Sequence, residues 1–116
     1  MTRYTFRFPH ESLRAYQAAR EFLRCVRKMD WRRGEGELKA QLNRAALSVM
    51  LNIAEGRSQK LAGNSGANFY RIALGSAAEC HAALQAREIL RDMPAEAETQ
   101  LLRGVAGPLS GLIRVE

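Results

Sequence analysis

The sequence predicts an all-α protein, an antiparallel up-and-down four-helix bundle, and three observations carry that expectation. Apolar residues recur at three- and four-residue steps in four separate segments. Short stretches rich in Gly, Asn or Pro separate those segments. Nothing alternates with the period of a strand except "YTFRF" at Tyr4–Phe8, which is too isolated to build a sheet. With 116 residues, 47% of them apolar and 26% charged, the chain makes one domain over residues 1–116 that buries a core without staples.

The first helix is expected over residues 10–29. Ala15, Ala19, Phe22, Val26 and Met29 form one apolar stripe, widened by Leu13, Tyr16 and Leu23. Arg20, Arg24, Arg27 and Lys28 fall on another face. Pro9 is placed to precede or open the helix, and His10 or Ser12 to cap it. "RRGEG", Arg32–Gly36, breaks the pattern and reads as a turn.

The second helix is expected over residues 35–56, with Leu38, Leu42, Ala45, Val49 and Asn52 in one row and Ala46 and Ile53 thickening it. The chain then reverses between Gly56 and Gly66, where "AGNSG" supplies stop and start residues. A third helix, residues 66–91, carries a narrow seam of Phe69, Ala73, Ser76, Cys80 and Ala83 on which a partner helix can approach closely. Pro94 ends it, because the residue before a proline avoids helical geometry. The fourth helix, residues 94–114, keeps its rhythm through Leu101, Leu102, Val105, Leu109, Leu112 and Ile113. Gly104, Gly107, Pro108 and Gly111 oppose it, so a bend or break is expected near Pro108.

Charge is distributed unevenly. The chain has a net charge of +6, and residues 1–33 hold nine Arg or Lys against three acids, which accounts for all of it. Such a segment suits an anionic partner, nucleic acid ahead of a membrane surface, and otherwise serves as a solvated face that aids solubility. No apolar run approaches a membrane span, the N-terminus lacks the apolar core of a secretory signal, and Cys25 and Cys80 make no disulfide framework. A cytoplasmic protein with reduced thiols and no membrane partner is the expectation.

The candidate chemistries fare poorly. "GRSQKLAGNSG" lacks the lysine after the second glycine that a phosphate-cradling loop requires, although Arg57 and Lys60 offer point contacts to a phosphate. A metal site is not expected, because Glu79 has Ala82, not histidine, three places on, and His81 turns to another face. Cys80 and His81 are adjacent on a helix and point about 100° apart, so they do not pair as nucleophile and base. His10 sits in a cap region with no assembled partner. Trp31 either stacks on a base or anchors the end of the bundle. Glu79 shares a face with Ile72, Ser76, Ala83 and Leu90 and is expected to be buried. There it would be either a general acid or base of raised pKa, or, as favoured here, a polar clasp with Arg44, Ser48, Asn52 or Arg71. No catalytic residue and no cofactor emerges.

"HESLRAYQAAREFL" (10–23), "LNRAALSVMLNIAEG" (42–56) and "FYRIALGSAAE" (69–79) resemble the four-helix bundle family encoded by intervening sequences of 23S ribosomal RNA genes, which also takes in the accessory variability protein of diversity-generating retroelements. The resemblance implies an antiparallel bundle assembling as a ring-like homopentamer. In the retroelement branch it implies binding to nucleic acid and a reverse transcriptase. No enzymatic activity comes with it. It maps Asn52, Glu55, Gly56, Arg71, Gly75, Ser76 and Glu79 onto shared motifs. Asn52, Glu55, Arg71, Ser76 and Glu79 are read as a structural polar clasp, and Gly75 and Ser76 as permitting close helix contact. Relatives often carry proline where this chain has Met50, so a straighter second helix is expected.

The functional expectation is a non-enzymatic homo-oligomer that grips RNA or DNA backbone through Arg20, Arg24, Arg27, Lys28, Arg32 and Arg33. The alternative is a protein-interaction scaffold, for example for a reverse transcriptase, in which charge serves docking.

Overall fold

The computed structural model describes residues 3–115. A 3-10 turn, Pro9–Ser12, precedes four helices: α1 (Arg14–Lys28), α2 (Gly36–Leu61), α3 (Ala67–Arg91) and α4 (Glu96–Arg114). No strand occurs among the described residues. Tyr4, Phe6 and Phe8 run along an exposed, irregular segment, with Phe6 edge-on to Phe8 at 5.1 Å.

The helix expected to open at His10 is interrupted. Pro9 starts a tight turn closed by the Glu11 carboxylate, which accepts the Phe8 backbone N–H. Leu13 is then extended (φ −72°, ψ 127°), and α1 starts after it. His10 lies between aromatic rings, stacked on Phe8 at 5.8 Å and tilted on Tyr16 at 4.5 Å, and so serves this turn.

The second helix runs five residues beyond its expected end. Gly56 lies inside α2, buried, because its missing side chain is what lets α3 approach. A Cβ there would sit 2.6 Å from Tyr70 Cε1 and 3.1 Å from the Gly66 carbonyl oxygen. The helix stops instead at Gly63, whose φ of +91° is the left-handed geometry that glycine adopts without strain. Ser65 Oγ then accepts the Ala67 N–H as α3 begins. At its far end Asp92 takes the left-handed conformation (φ 52°), and Glu88 steadies the connection by accepting the Ala95 N–H at 2.8 Å.

Gly75 plays no comparable part. A side chain there would meet nothing within 4 Å, so the expectation that it permits close helix contact is corrected in favour of Gly56. Of the bend or break expected near Pro108, the break is absent: α4 is continuous from Glu96 to Arg114 although Pro108 has no N–H to donate.

α2 packs most extensively on α3, α1 lies against α2 and α4, and α3 and α4 close the set. The common core joins Phe22, Leu42, Val49, Ile53, Tyr70, Leu84, Val105 and Leu109 with eight alanines. Alanine at Ala15, Ala19, Ala45, Ala46, Ala73, Ala77 and Ala83 brings helix backbones together, so stability here depends on close spacing more than on large buried side chains. No helix among the described residues is long and apolar enough to cross a membrane.

Candidate nucleic-acid interface

α1 owes its two faces to a simple arithmetic. At about 100° per residue, Ala15, Ala19, Phe22 and Val26 fall in one narrow arc, and all four are buried. Arg20, Arg24, Arg27 and Lys28 fall in the opposite arc, and all four are exposed. Arg32 and Arg33, in the turn that follows, are exposed as well. All six predicted contact residues are therefore exposed, four on the outer arc of α1 and two in the α1–α2 turn.

Their availability depends on what else they bind. Arg24 forms an exposed ion pair with Glu21, one helical turn away. Such a pair is worth a few tenths of a kcal/mol and yields readily to a stronger anion. Arg20, Arg27, Lys28, Arg32 and Arg33 make no side-chain hydrogen bond or ion pair among the described residues. Arg3, Arg7 and Arg14 extend the exposed charge toward the N-terminus.

Beneath this edge lies a network of charges that the sequence reading did not anticipate. Asp30 accepts Arg87 Nη2 at 3.0 Å and Arg91 Nη1 at 2.8 Å, and Glu35 accepts Arg91 Nη2 at 2.9 Å. Glu35 also accepts the Arg32 backbone N–H at 2.6 Å, which fixes the turn. The Arg91 hydrogen bond is the main reason both carboxyls are held below their ordinary range, and the two acids in turn raise the Arg91 pKa. Arg87 also covers Trp31 at 5.0 Å from the ring centroid. With its ring half-buried against the core and faced by Arg87, Trp31 is the end anchor of the two readings offered for it. Arg87 and Arg91 escaped the sequence reading although their four-residue spacing continues the Ser76–Cys80–Ala83 seam, where buried cations call for acids across the interface.

The expected polar clasp forms only in part. Asn52 donates to the Ser48 carbonyl at 2.9 Å and to Ser48 Oγ at 3.2 Å, and Ser48 Oγ lies 2.8 Å from Ser76 Oγ across the helix pair. Ser76 is buried, so this serine pair joins α2 to α3. Glu55 instead receives Gln59 on the exposed side, and Arg71 is exposed. Glu79 is exposed too, which corrects the expectation of a buried carboxylate: the buried row of α3 runs through Ala73, Ser76, Cys80, Ala83 and Arg87, and Glu79 lies at its margin with Ile72. Arg44 bonds to Gln41, not to Glu79.

Cys80 is fully buried, and burial pushes its thiol up to about 12, so it stays protonated and unreactive at neutral pH. Cys25 is half-buried, and its thiol is also raised, by burial first and by Glu98 second. His81 lines a groove of about 210 Å³ between α3 and α4 with Leu74, Leu102 and Ala106. Among the described residues no group of three or more His, Cys, Asp or Glu is placed to hold a metal ion.

A comparison with curated proteins finds no match. Residues 11–105 match the family described as 23S rRNA-intervening sequence protein. The match spans the whole of α1, α2 and α3 and the first half of α4, and it covers all but His10 of the motifs that suggested the resemblance, so the chain belongs to the 23S rRNA-intervening sequence protein family.

Proposed function

We propose that this protein is a non-enzymatic, oligomeric, antiparallel four-helix bundle that binds RNA or DNA backbone through α1 and the α1–α2 turn, without regard to base sequence. One observation carries the reading: six cations stand exposed on α1 and the turn that follows it, and only Arg24 among them has an ion-pair partner among the described residues. Exposed guanidinium groups on a rigid helix are suited to phosphate oxygens, and a helix whose other face is locked into the core loses little freedom on binding. The antiparallel order is supported by two cross-helix pairs, Ser48 with Ser76 and Gly56 with Tyr70, in which residue number rises on α2 as it falls on α3.

Self-assembly, into a pentamer on the family expectation, is supported by large apolar side chains left outside the core. Leu47 and Leu51 on α2 are 46% and 55% exposed, and Ile72 on α3 is 44% exposed. Repetition of the basic edge by symmetry would multiply its field. A cytoplasmic location is part of the same proposal. Ile89, Leu90 and Met93, 79%, 63% and 56% exposed around the end of α3, favour a second reading in which a protein partner such as a reverse transcriptase docks there.

The test titrates labelled RNA and DNA at low and raised salt against wild type and an Arg20→Glu/Arg24→Glu/Arg27→Glu variant. For every three phosphates engaged, log affinity should fall with log salt at a slope of about −2 on single strands and about −3 on duplex. Loss of binding in the variant supports the reading, and no wild-type binding at low salt removes it. Light scattering should give about 65 kDa if five chains of 13.0 kDa assemble.

A further inference from the structure

A second feature lies behind the basic edge, where α1 ends and α4 begins. A cavity of about 540 Å³ opens there between the α1–α2 turn and the end of α3. Four cations line it, Lys28, Arg32, Arg87 and Arg91, against two carboxylates, Asp30 and Glu98. Counting Glu35, which holds Arg91 from behind, still leaves a positive balance.

Arg87 is the informative member. It is nine-tenths buried, yet only Nη2 is engaged, by the Asp30 carbonyl oxygen at 2.7 Å and the Asp30 carboxylate at 3.0 Å. Its Nε is buried without an acceptor, and no described residue accepts from its Nη1. A buried guanidinium normally has its donors matched, because an unmatched buried donor has given up water without gaining a partner. Here Asp30 and the Trp31 ring hold the group in one orientation, and Nη1, neither bonded nor closed off from solvent, is the donor left over beside a cavity with surplus positive charge. Lys28 and Arg32, exposed at the rim, add charge without using up acceptors.

We infer that this cavity is a binding site for a phosphate group, with Arg87 as the fixed donor and Lys28 and Arg32 as the mobile rim cations. A tetrahedral oxyanion presents acceptors in several directions, which matches a guanidinium on one wall and flexible cations on another. Asp30 and Glu35 have the opposite role: they orient Arg87 and Arg91 and offset part of their charge. The site shares Lys28 and Arg32 with the proposed α1 interface but not Arg20, Arg24 or Arg27, which do not line it. The phosphate is either a phosphodiester of nucleic-acid backbone or a free phosphate ester.

Trp31 is the sole tryptophan and lies under Arg87, so its emission reports on the site directly. The experiment titrates the full chain with inorganic phosphate at constant ionic strength, following Trp31 emission and the arginine Nε–H resonances, then repeats it with a trinucleotide. A saturable change is expected, weakened about tenfold in Lys28→Gln/Arg32→Gln and retained in the Arg20→Glu/Arg24→Glu/Arg27→Glu variant. Both rim side chains are exposed, so the double variant remains testable even if Arg87→Gln fails to fold. A trinucleotide that competes with phosphate assigns the site to backbone, and one that leaves the phosphate isotherm unchanged assigns it to a free ester. The inference is overturned if phosphate gives no saturable change, or if the change is undiminished in Lys28→Gln/Arg32→Gln. Nucleic-acid binding that leaves the Trp31 and Arg87 signals unmoved, with no response to phosphate, would remove this site and leave the α1 interface standing.

Discussion

Replacing Gly56 with alanine adds one methyl group to the closest approach of α2 and α3. In an exposed helix that change stabilises by about 0.5–1 kcal/mol, since alanine loses less backbone freedom than glycine. Here the added carbon would lie 2.6 and 2.7 Å from two carbons of the Tyr70 ring and 3.1 Å from a backbone oxygen. Tyr70 is 1% exposed and wedged in the core, so its ring has no free space to enter, and the Gly66 carbonyl blocks the other direction. Overpacking of this kind costs about 1–3 kcal/mol. The clash outweighs the propensity gain, and a net loss of about 1–2 kcal/mol is expected, or about 3–10 °C in Tm for a chain of this size. Gly75→Ala is the matched control, because that position meets nothing within 4 Å and should gain the propensity term alone. Thermal unfolding followed by circular dichroism, with all three proteins at one concentration, should place Gly75→Ala at or above wild type and Gly56→Ala below it. A Gly56→Ala protein as stable as wild type would refute the assignment of Gly56 as the close-contact residue.

Three further expectations concern other parts of the fold. Ser48→Ala should cost about 1–2 kcal/mol in denaturant titration by leaving buried Ser76 without its partner, whereas Glu79→Ala, at an exposed position, should stay within about 0.5 kcal/mol of wild type. Asp30 and Glu35 have depressed folded-state pKa values, so their stabilisation is fully present above the unfolded values of 3.8 and 4.5 and is lost as pH falls below them. Denaturant midpoints should accordingly hold between about pH 7 and pH 5 and then drop, and Asp30→Asn should flatten the acid limb. In the native protein a thiol reagent at pH 8 should label half-buried Cys25 well before fully buried Cys80, whose thiol is pushed up to about 12; equal rates would contradict the packing described.

The helices were legible because their apolar spacing is strong, and the edge of α1 was legible because four cations share an arc that the buried residues avoid. Where the reading slipped, a local signal was overruled by a neighbour distant in sequence. Gly56 looked like a stop signal, but a tyrosine fourteen residues on requires the space its missing side chain provides. Pro108 and its glycines looked like a bend or break, but α4 does not break there, with Leu102, Val105 and Leu109 buried on one face. Glu79 was placed inside from helical spacing, which gives the width of a face but not its centre; the packing of α2 and α4 sets that centre at Cys80. The Asp30–Arg87–Arg91–Glu35 network was not visible because its acids are separated from its arginines by more than fifty residues and none belongs to a recognisable motif.

The two ends of α3 are fastened by different kinds of attachment. Tyr70, in its first turn, is seated by shape against Gly56, a fit indifferent to protons or dissolved ions. Arg91, its last residue, is tied down by carboxylates that acid neutralises and salt weakens. Acid below the ordinary carboxyl range, or high ionic strength, should therefore loosen the molecule from the arginine end first. That end carries the turn with Arg32 and Arg33, so the part that meets an anionic partner is also the part whose rigidity the surrounding solution adjusts.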